Sequence, residues 1–223
     1  MSWCTSRAVE RPAQVSAPAI VFDLDGTLVD SLDDIVNTFV SAFTNLGLPA
    51  PHHAAVRRLV GGPLEEMYAA FAPAEAVAAL AADYRVNYPR NYLDNSRPYP
   101  GVVELLTALG DNGHPRLVAT TKRTAVARRF VAAMGLEDLL DHVQGTDDFP
   151  HKPAPDVIWR ALEAVGAAGS WMVGDTVTDV LAGKAAGLRT YAVSWGTHDA
   201  ELLATAAPDV LEPDLTALSA LVL

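Results

Sequence analysis

The sequence predicts an α/β protein: a Rossmann-like parallel sheet with helices on both faces and an inserted domain made only of α-helices. From residue 97 onward, short apolar segments alternate with helix-like segments, which is the pattern of βαβ units. The strand interiors are apolar, as expected of a parallel sheet covered on both faces. Between the first and second strands the chain shows only helical patterns. We therefore expect an α/β core over residues 18–31 and 97–223, a helical cap over 32–96, and a loose tail over 1–17.

The first strand and the first cap helix have distinct signals. Ala19 to Phe22 is a short apolar run that leads into a polar turn, as a buried strand does. Ser31 followed by Asp34 is close to a capping box and predicts the start of a helix. Apolar residues then recur at helical spacing up to Gly47, which is a typical residue just beyond a helix.

The remaining elements follow from glycine, proline and apolar periodicity. In the cap, these signals predict three more helices, at 52–60, 63–72 and 74–88. In the core they predict strands at 116–121, 142–145, 170–174 and 190–194, and helices at 101–110, 124–134, 155–165 and 178–186. Weaker strand and helix signals occupy 209–222.

Composition restricts the classes of function. Half of the 223 residues are hydrophobic and 19% are charged, which argues against a disordered chain. The net charge of −11 argues against nucleic-acid binding, which needs clustered Lys and Arg. A single cysteine, Cys4, excludes a disulfide framework and a multi-cysteine metal site. We see no signal peptide and no apolar run that could span a bilayer, so we expect a cytoplasmic protein without a membrane partner.

Four carboxylates follow two strands of the predicted sheet. Asp23 and Asp25 come after the first strand, and Asp175 and Asp179 after the strand at 170–174. Ligands bind at the carboxyl ends of strands in an open parallel sheet, so these groups meet at one edge. Ionised carboxylates brought together repel each other unless a cation lies among them. Hard oxygen ligands in an open site favour Mg²⁺.

The same edge receives hydroxyl and lysine side chains. The second strand delivers Thr120, Thr121 and Lys122, and the third is followed by Lys152. Taken singly, each of these residues has an ordinary structural explanation, since threonine is common in strands and lysine is usually solvated.

These residues resemble the four motifs of the haloacid dehalogenase superfamily of aspartate-nucleophile phosphohydrolases. The first motif is resembled by Asp23-Leu24-Asp25-Gly26-Thr27-Leu28-Val29-Asp30-Ser31 and the fourth by Gly174-Asp175-Thr176-Val177-Thr178-Asp179. Thr120 and Lys152 stand where the second and third motifs are expected. The helical insert after the first motif is similar to the cap of the phosphoglycolate phosphatase-like branch.

The resemblance implies a role for each of the acidic residues. Asp23 is expected to be the nucleophile that becomes phosphorylated, and Asp25 the general acid and base. Mg²⁺ is expected to bind Asp23, Asp25 through its backbone carbonyl, and Asp175, while Asp179 holds a metal-bound water or Lys152.

The resemblance also implies groups that bind the substrate. Thr120 and Lys152 are expected to bind the phosphoryl oxygens of the transferred group. Thr121 and Lys122 are candidate substrate contacts, although the branch usually carries Asn at the position of Thr121. In the cap, Arg57 and Arg58 either reach the substrate when the cap closes or belong to a solvated helix face.

The sequence therefore predicts a Mg²⁺-dependent hydrolase that acts on a small phosphorylated metabolite, with 2-phosphoglycolate as the first choice. Other members of the superfamily leave a pyrophosphatase, a nucleotidase, a sugar-phosphate phosphatase and a phosphomutase as alternatives. A phospho-acceptor signalling module is the alternative outside enzymes, since it also gathers acids, Thr and Lys at strand ends. We expect a monomer or a homodimer.

Overall fold

The computed structural model describes residues 17–223, so most of the predicted tail, including Cys4, lies outside the described residues. The strands are β1 (Ala19–Phe22), β2 (Val29–Asp30), β3 (Arg97–Pro98), β4 (Arg116–Thr120), β5 (His142–Gly145), β6 (Gly169–Gly174), β7 (Arg189–Val193) and β8 (Val210–Glu212). The helices are α1 (Leu32–Asn45), α2 (His53–Arg57), α3 (Leu64–Ala69), α4 (Ala74–Asn91), α5 (Val102–Asp111), α6 (Thr124–Ala133), α7 (Asp156–Val165), α8 (Val177–Ala185), α9 (Ala200–Ala204) and α10 (Thr216–Val222). A short 3-10 helix covers Glu137–Leu139.

Six of the strands form one parallel sheet in the order β5-β4-β1-β6-β7-β8. This arrangement confirms the predicted Rossmann-like α/β fold. Phe22 in β1 is paired with Val118 in β4 and with Val173 in β6. The residues that follow these three central strands therefore lie side by side at the carboxyl edge of the sheet.

Both faces of the sheet are covered, because alternate residues of β1 enter different hydrophobic clusters. Ile20 and Phe22 pack with residues of α5, α6 and α10. Ala19 and Val21 pack with residues of α7 and α8 on the opposite face. Burial on both faces explains why β1 is apolar along its whole length, whereas the edge strand β5 carries the polar residues His142 and Gln144.

The cap helices α1 to α4 pack around a hydrophobic cluster of their own. At its centre, the ring of Phe39 stacks on that of Tyr68, with 3.9 Å between the ring centroids. Because this cluster is separate from the clusters that cover the sheet, it supports the predicted division into core and cap. The residue boundaries of the two parts stay a prediction. The predicted end of the last cap helix at residue 88 is too early, since α4 continues through Pro89 to Asn91.

The chain leaves the core and returns to it through an antiparallel pair formed by β2 and β3, which the sequence analysis did not predict. Beside this pair, the carboxylate of Asp34 in α1 accepts hydrogen bonds from the backbone and side chains of Asn95 and Ser96. Burial acts to raise the pKa of Asp34, but these hydrogen bonds outweigh it and lower the pKa. The expected capping box is therefore wrong: Ser31 makes no side-chain cap bond, and Asp34 binds the returning chain instead.

Among residues 17–223, no helix combines the length and the apolar character needed to cross a membrane.

Candidate active site

Three buried carboxylates, those of Asp23, Asp175 and Asp179, meet at the carboxyl edge of the sheet. Each offers an oxygen, and these oxygens all lie within 4.8 Å of one another. Burial raises the pKa of Asp23 well above its usual value, Lys152 opposes this shift, and the neighbouring acids add to it. The cluster therefore has the unbalanced negative charge and the oxygen donors that suit a hard divalent cation.

Asp175 is fixed by the loops on either side of it. Its carboxylate accepts hydrogen bonds from the Thr27 hydroxyl and the Thr197 backbone N–H, each at 2.7 Å. A Cβ atom on Gly26 or Gly196 would collide with this carboxylate, so both positions require glycine. Burial and the charge of Asp179 raise the pKa of Asp175 to about 7, although the bonds from Thr197 and Thr27 act to lower it.

Asp179 has hydrogen-bond donors on both carboxylate oxygens. Oδ2 accepts from the backbone N–H and the hydroxyl of Thr176, which completes a capping box at the start of α8. Oδ1 accepts from Lys152 Nζ at 2.6 Å. This arrangement supports one of the two roles predicted for Asp179, the holding of Lys152, because Oδ1 binds Lys152 Nζ and Oδ2 already accepts two hydrogen bonds.

Lys152 reaches the cluster from the loop between β5 and α7 and is only 4% exposed. Its Nζ atom donates hydrogen bonds to Asp23, Asp179 and the backbone carbonyl of Ala119. Burial acts to lower the pKa of Lys152, but the carboxylates of Asp179 and Asp23 outweigh it and raise the pKa above the usual lysine value. Lys152 therefore places a fixed positive charge beside Asp23.

Asp25 turns away from this cluster. Its Oδ1 accepts from the Ser31 hydroxyl at 2.5 Å and its Oδ2 from Lys122 Nζ at 2.6 Å. The same Nζ lies 4.7 Å from the centre of the Tyr88 ring, a cap residue. Lys122 thus connects Asp25 of the core with the wall of the cap.

A cavity of about 420 Å³ opens between core and cap, with both Asp23 and Asp25 in its lining. Two of the predicted substrate contacts, Thr121 and Lys122, also line it. Thr120 lies buried behind them and accepts a hydrogen bond from the Lys122 backbone N–H.

The predicted cap arginines are not brought to this cavity. Arg57 pairs with Asp33 on the surface at 2.8 Å, and Arg58 follows it at the end of α2, outside the lining. The arginine of the cap that does line the cavity is Arg85 in α4, which pairs with Glu65 in α3.

A family model described as haloacid dehalogenase-like hydrolase matches residues 20–193, a span that includes the carboxylate cluster and Lys152. The chain belongs to the haloacid dehalogenase-like hydrolase family. A probable phosphatase, IndB of Dickeya dadantii, is 36% identical over 87% of this chain and 88% of the relative. A phosphoglycolate phosphatase of Mesorhizobium japonicum is 33% identical over 83% of this chain and 86% of the relative.

A solved structure of a haloacid dehalogenase-like family protein from Streptococcus pneumoniae has the same fold. It superposes with a TM-score of 0.84 at 29% identity and covers 93% of this chain and 99% of that chain. The resemblance seen in the sequence motifs is confirmed, and this haloacid dehalogenase-like protein is a phosphatase.

Several residues of the phosphatase site carry no motif in the sequence. Thr197 and Gly196 reach Asp175 from the loop after β7. Ser31 does belong to the first motif, but its hydrogen bond to Asp25 was not predicted. The sequence signal that could have indicated Arg85 is its spacing in α4. Arg85 stands three residues before Tyr88, and Tyr84 stands four residues before it, and residues at these spacings lie on neighbouring positions of a helix surface.

Proposed function

We propose that this phosphatase hydrolyses small phosphomonoesters through an aspartyl-phosphate on Asp23 and that it requires Mg²⁺. The observation that carries the proposal is the position of Asp23: its carboxylate lines the substrate-sized cavity and is paired with Lys152 behind it. A nucleophile must be open to its substrate on one side and held in place on the other.

The carboxylate cluster fits a magnesium ion. Asp23 and Asp175 offer hard oxygen ligands, and the glycines around Asp175 leave room for its carboxylate to be held close to Asp23. The backbone carbonyl of Asp25 is the further ligand that the resemblance implies. When bound, Mg²⁺ would reduce the repulsion between the Asp23 carboxylate and the phosphate.

In the first half of the reaction, an Asp23 carboxylate oxygen attacks phosphorus and the bond from phosphorus to the ester oxygen breaks. Asp25, which shares the cavity with Asp23, donates a proton to the leaving oxygen. Lys152, which is bound to Asp23, supplies positive charge beside the phosphoryl group, while a contact from the buried Thr120 to a phosphoryl oxygen stays a prediction of the resemblance.

In the second half, water attacks the phosphorus of the aspartyl-phosphate and Asp25 takes a proton from that water. The bond from phosphorus to the Asp23 oxygen breaks, which releases phosphate and restores the carboxylate. Ser31 and Lys122 hold Asp25 in the cavity between the two steps.

The substrate itself stays a prediction. 2-Phosphoglycolate is supported by the name of the Mesorhizobium japonicum relative. The alternative substrates are pyrophosphate, nucleotides and sugar phosphates. The alternative reaction is that of a phosphomutase, which moves the phosphoryl group within a sugar phosphate. The cytoplasmic location, the lack of a nucleic-acid partner and the monomer or homodimer also stay predictions.

The proposed chemistry is tested with p-nitrophenyl phosphate, with and without a chelator of Mg²⁺. We expect steady turnover that stops on chelation and returns when Mg²⁺ is restored. A single phosphorylation without turnover would favour the signalling module, and turnover that ignores the chelator would contradict the metal requirement. A parallel screen of 2-phosphoglycolate, pyrophosphate and other phosphorylated metabolites ranks the substrates.

A further inference from the structure

The cavity beside Asp23 is large for a two-carbon substrate. Its volume of about 420 Å³ falls in the range of roughly 300–1,000 Å³ that usually encloses a drug-sized ligand. The phosphoryl group occupies the end near Asp23, so the rest of the volume belongs to the leaving group of the ester.

The walls around that volume are mostly apolar and come from both parts of the molecule. Tyr84 and Tyr88 of α4 stack on each other, with 5.0 Å between ring centroids and 10° between ring planes, and form one wall of the cavity. The other apolar side chains of the lining are those of Ile35, Val60, Pro63, Leu64 and Met67 from the cap and Val126 and Phe149 from the core. An apolar ligand group would bind favourably to such a surface, because binding removes apolar surface of both the ligand and the cavity from water.

The charged residues of the lining do not favour a second negative charge. The lining contains the carboxylates of Asp23, Asp25, Glu65 and Asp147 and the cationic groups of Arg85, Lys122 and Arg123, together with His151. Lys122 already pairs with Asp25, and Arg85 with Glu65. Arg123, an exposed residue, is the one Lys or Arg of the lining without an ion pair among the described residues, so a carboxylate on the leaving group could bind only this cation and would face four lining acids.

We propose that the preferred substrate is a phosphomonoester whose leaving alcohol is uncharged and carries an apolar ring, which packs against Tyr84 and Tyr88. The proposal rests on the proposed function, since it assigns the cavity to the leaving group of the phosphatase reaction. It competes with 2-phosphoglycolate, whose leaving group is small and carries a carboxylate.

The test compares three primary alkyl phosphates in the presence of Mg²⁺: 2-phenylethyl phosphate, ethyl phosphate and 2-phosphoglycolate. All three release a primary alcohol, so differences in kcat/KM report on binding of the leaving group. We expect kcat/KM for 2-phenylethyl phosphate to exceed both others by at least about tenfold, since even one buried methylene discriminates by about that factor.

A pair of variants on one helix tests the assigned wall. In Tyr84→Gln, the ratio of kcat/KM for 2-phenylethyl phosphate to that for ethyl phosphate should fall by about tenfold or more. The control is Val86→Gln, since Val86 lies on the same helix, is 56% exposed and does not line the cavity. That control should keep the wild-type ratio.

The outcomes separate this proposal from the proposed function. Preference for ethyl phosphate or 2-phosphoglycolate, or the same ratio in Tyr84→Gln and Val86→Gln, would overturn the ring-bearing substrate and leave the phosphatase chemistry standing. Failure of wild-type enzyme to hydrolyse any of the three esters or p-nitrophenyl phosphate would overturn both.

Discussion

The carboxyl edge of the sheet and the cap wall of the cavity are built differently. At the edge, Asp179 and Lys152 are at most 4% exposed and their charged atoms are fully engaged with each other and with neighbouring groups. At the cap wall, the side chains of the Arg85–Glu65 pair are 45% and 51% exposed. The comparison indicates that the groups of the proposed reaction are held in place by the core, while the exposed ion pair of the cap wall tolerates change.

The largest stability effect is expected at Lys152. Replacing it in Lys152→Met leaves the Asp23 and Asp179 carboxylates buried without a counter-charge, which should lower the free energy of unfolding by about 3–5 kcal/mol. Denaturant unfolding without Mg²⁺ measures this loss. The control is Arg57→Met, which removes an exposed pair and should cost less than about 1 kcal/mol. Equal losses in the two variants would show that the buried edge is no more sensitive than the surface.

Magnesium should stabilise the edge by binding the folded state. At a Mg²⁺ concentration a hundred times its Kd, the expected gain is about 2.7 kcal/mol in the free energy of unfolding. In Asp175→Asn this gain should be largely lost because a proposed ligand is missing. Thermal unfolding over a Mg²⁺ titration, with Ca²⁺-free buffer and matched ionic strength, measures both. An undiminished gain in Asp175→Asn would place the ion elsewhere.

An intermediate effect on stability is expected at Asp34, which lies where the chain passes between core and cap. In Asp34→Ala the donors of Asn95 and Ser96 lose their carboxylate, at an expected cost of about 2 kcal/mol near neutral pH. The pKa of Asp34 is lower in the folded than in the unfolded state, so its contribution is present above the unfolded pKa and is lost as pH falls through the folded pKa. Denaturant unfolding of both proteins at neutral and acidic pH should therefore show a difference that shrinks in acid. A constant difference would mean that the carboxylate charge is not what stabilises the junction.

The smallest stability effect is expected for the Arg85–Glu65 pair of the cap wall. Arg85→Met should change the free energy of unfolding by less than about 1 kcal/mol, because solvent screens an exposed pair. The same denaturant experiment checks it. A loss as large as that of Lys152→Met would remove the distinction between a rigid edge and a tolerant wall.

The sequence was informative where local pattern and position in the sheet decide the structure. Apolar strands that end in Asp23 and Asp175 placed both residues at one edge, since the carboxyl ends of parallel strands share that edge. Lys152 was placed at the same edge because it follows the third strand, but its role came only from the resemblance, since its loop has no periodic pattern.

Contacts between segments that are distant along the chain could not be predicted from local sequence patterns. The partners of Asp34 lie 61 and 62 residues along the chain, and the bond from Thr197 to Asp175 spans 22 residues. The cap arginine at the cavity could not be chosen because the relative orientation of α2, α3 and α4 depends on side-chain packing. The capping signal was misplaced for a similar reason: Ser31–Asp34 has the pattern of a box, while the observed box is Thr176–Asp179.

The central claim is that Asp23 is phosphorylated during turnover, and rapid acid quenching tests it most directly. Enzyme with Mg²⁺ is mixed with excess p-nitrophenyl phosphate, quenched during steady turnover, digested and analysed by mass spectrometry. We predict one added phosphoryl group on the peptide that carries Asp23, released by hydroxylamine, and neither this adduct nor turnover in Asp23→Asn. Steady turnover in Asp23→Asn, or a phosphoryl group carried by a different residue, would contradict the account.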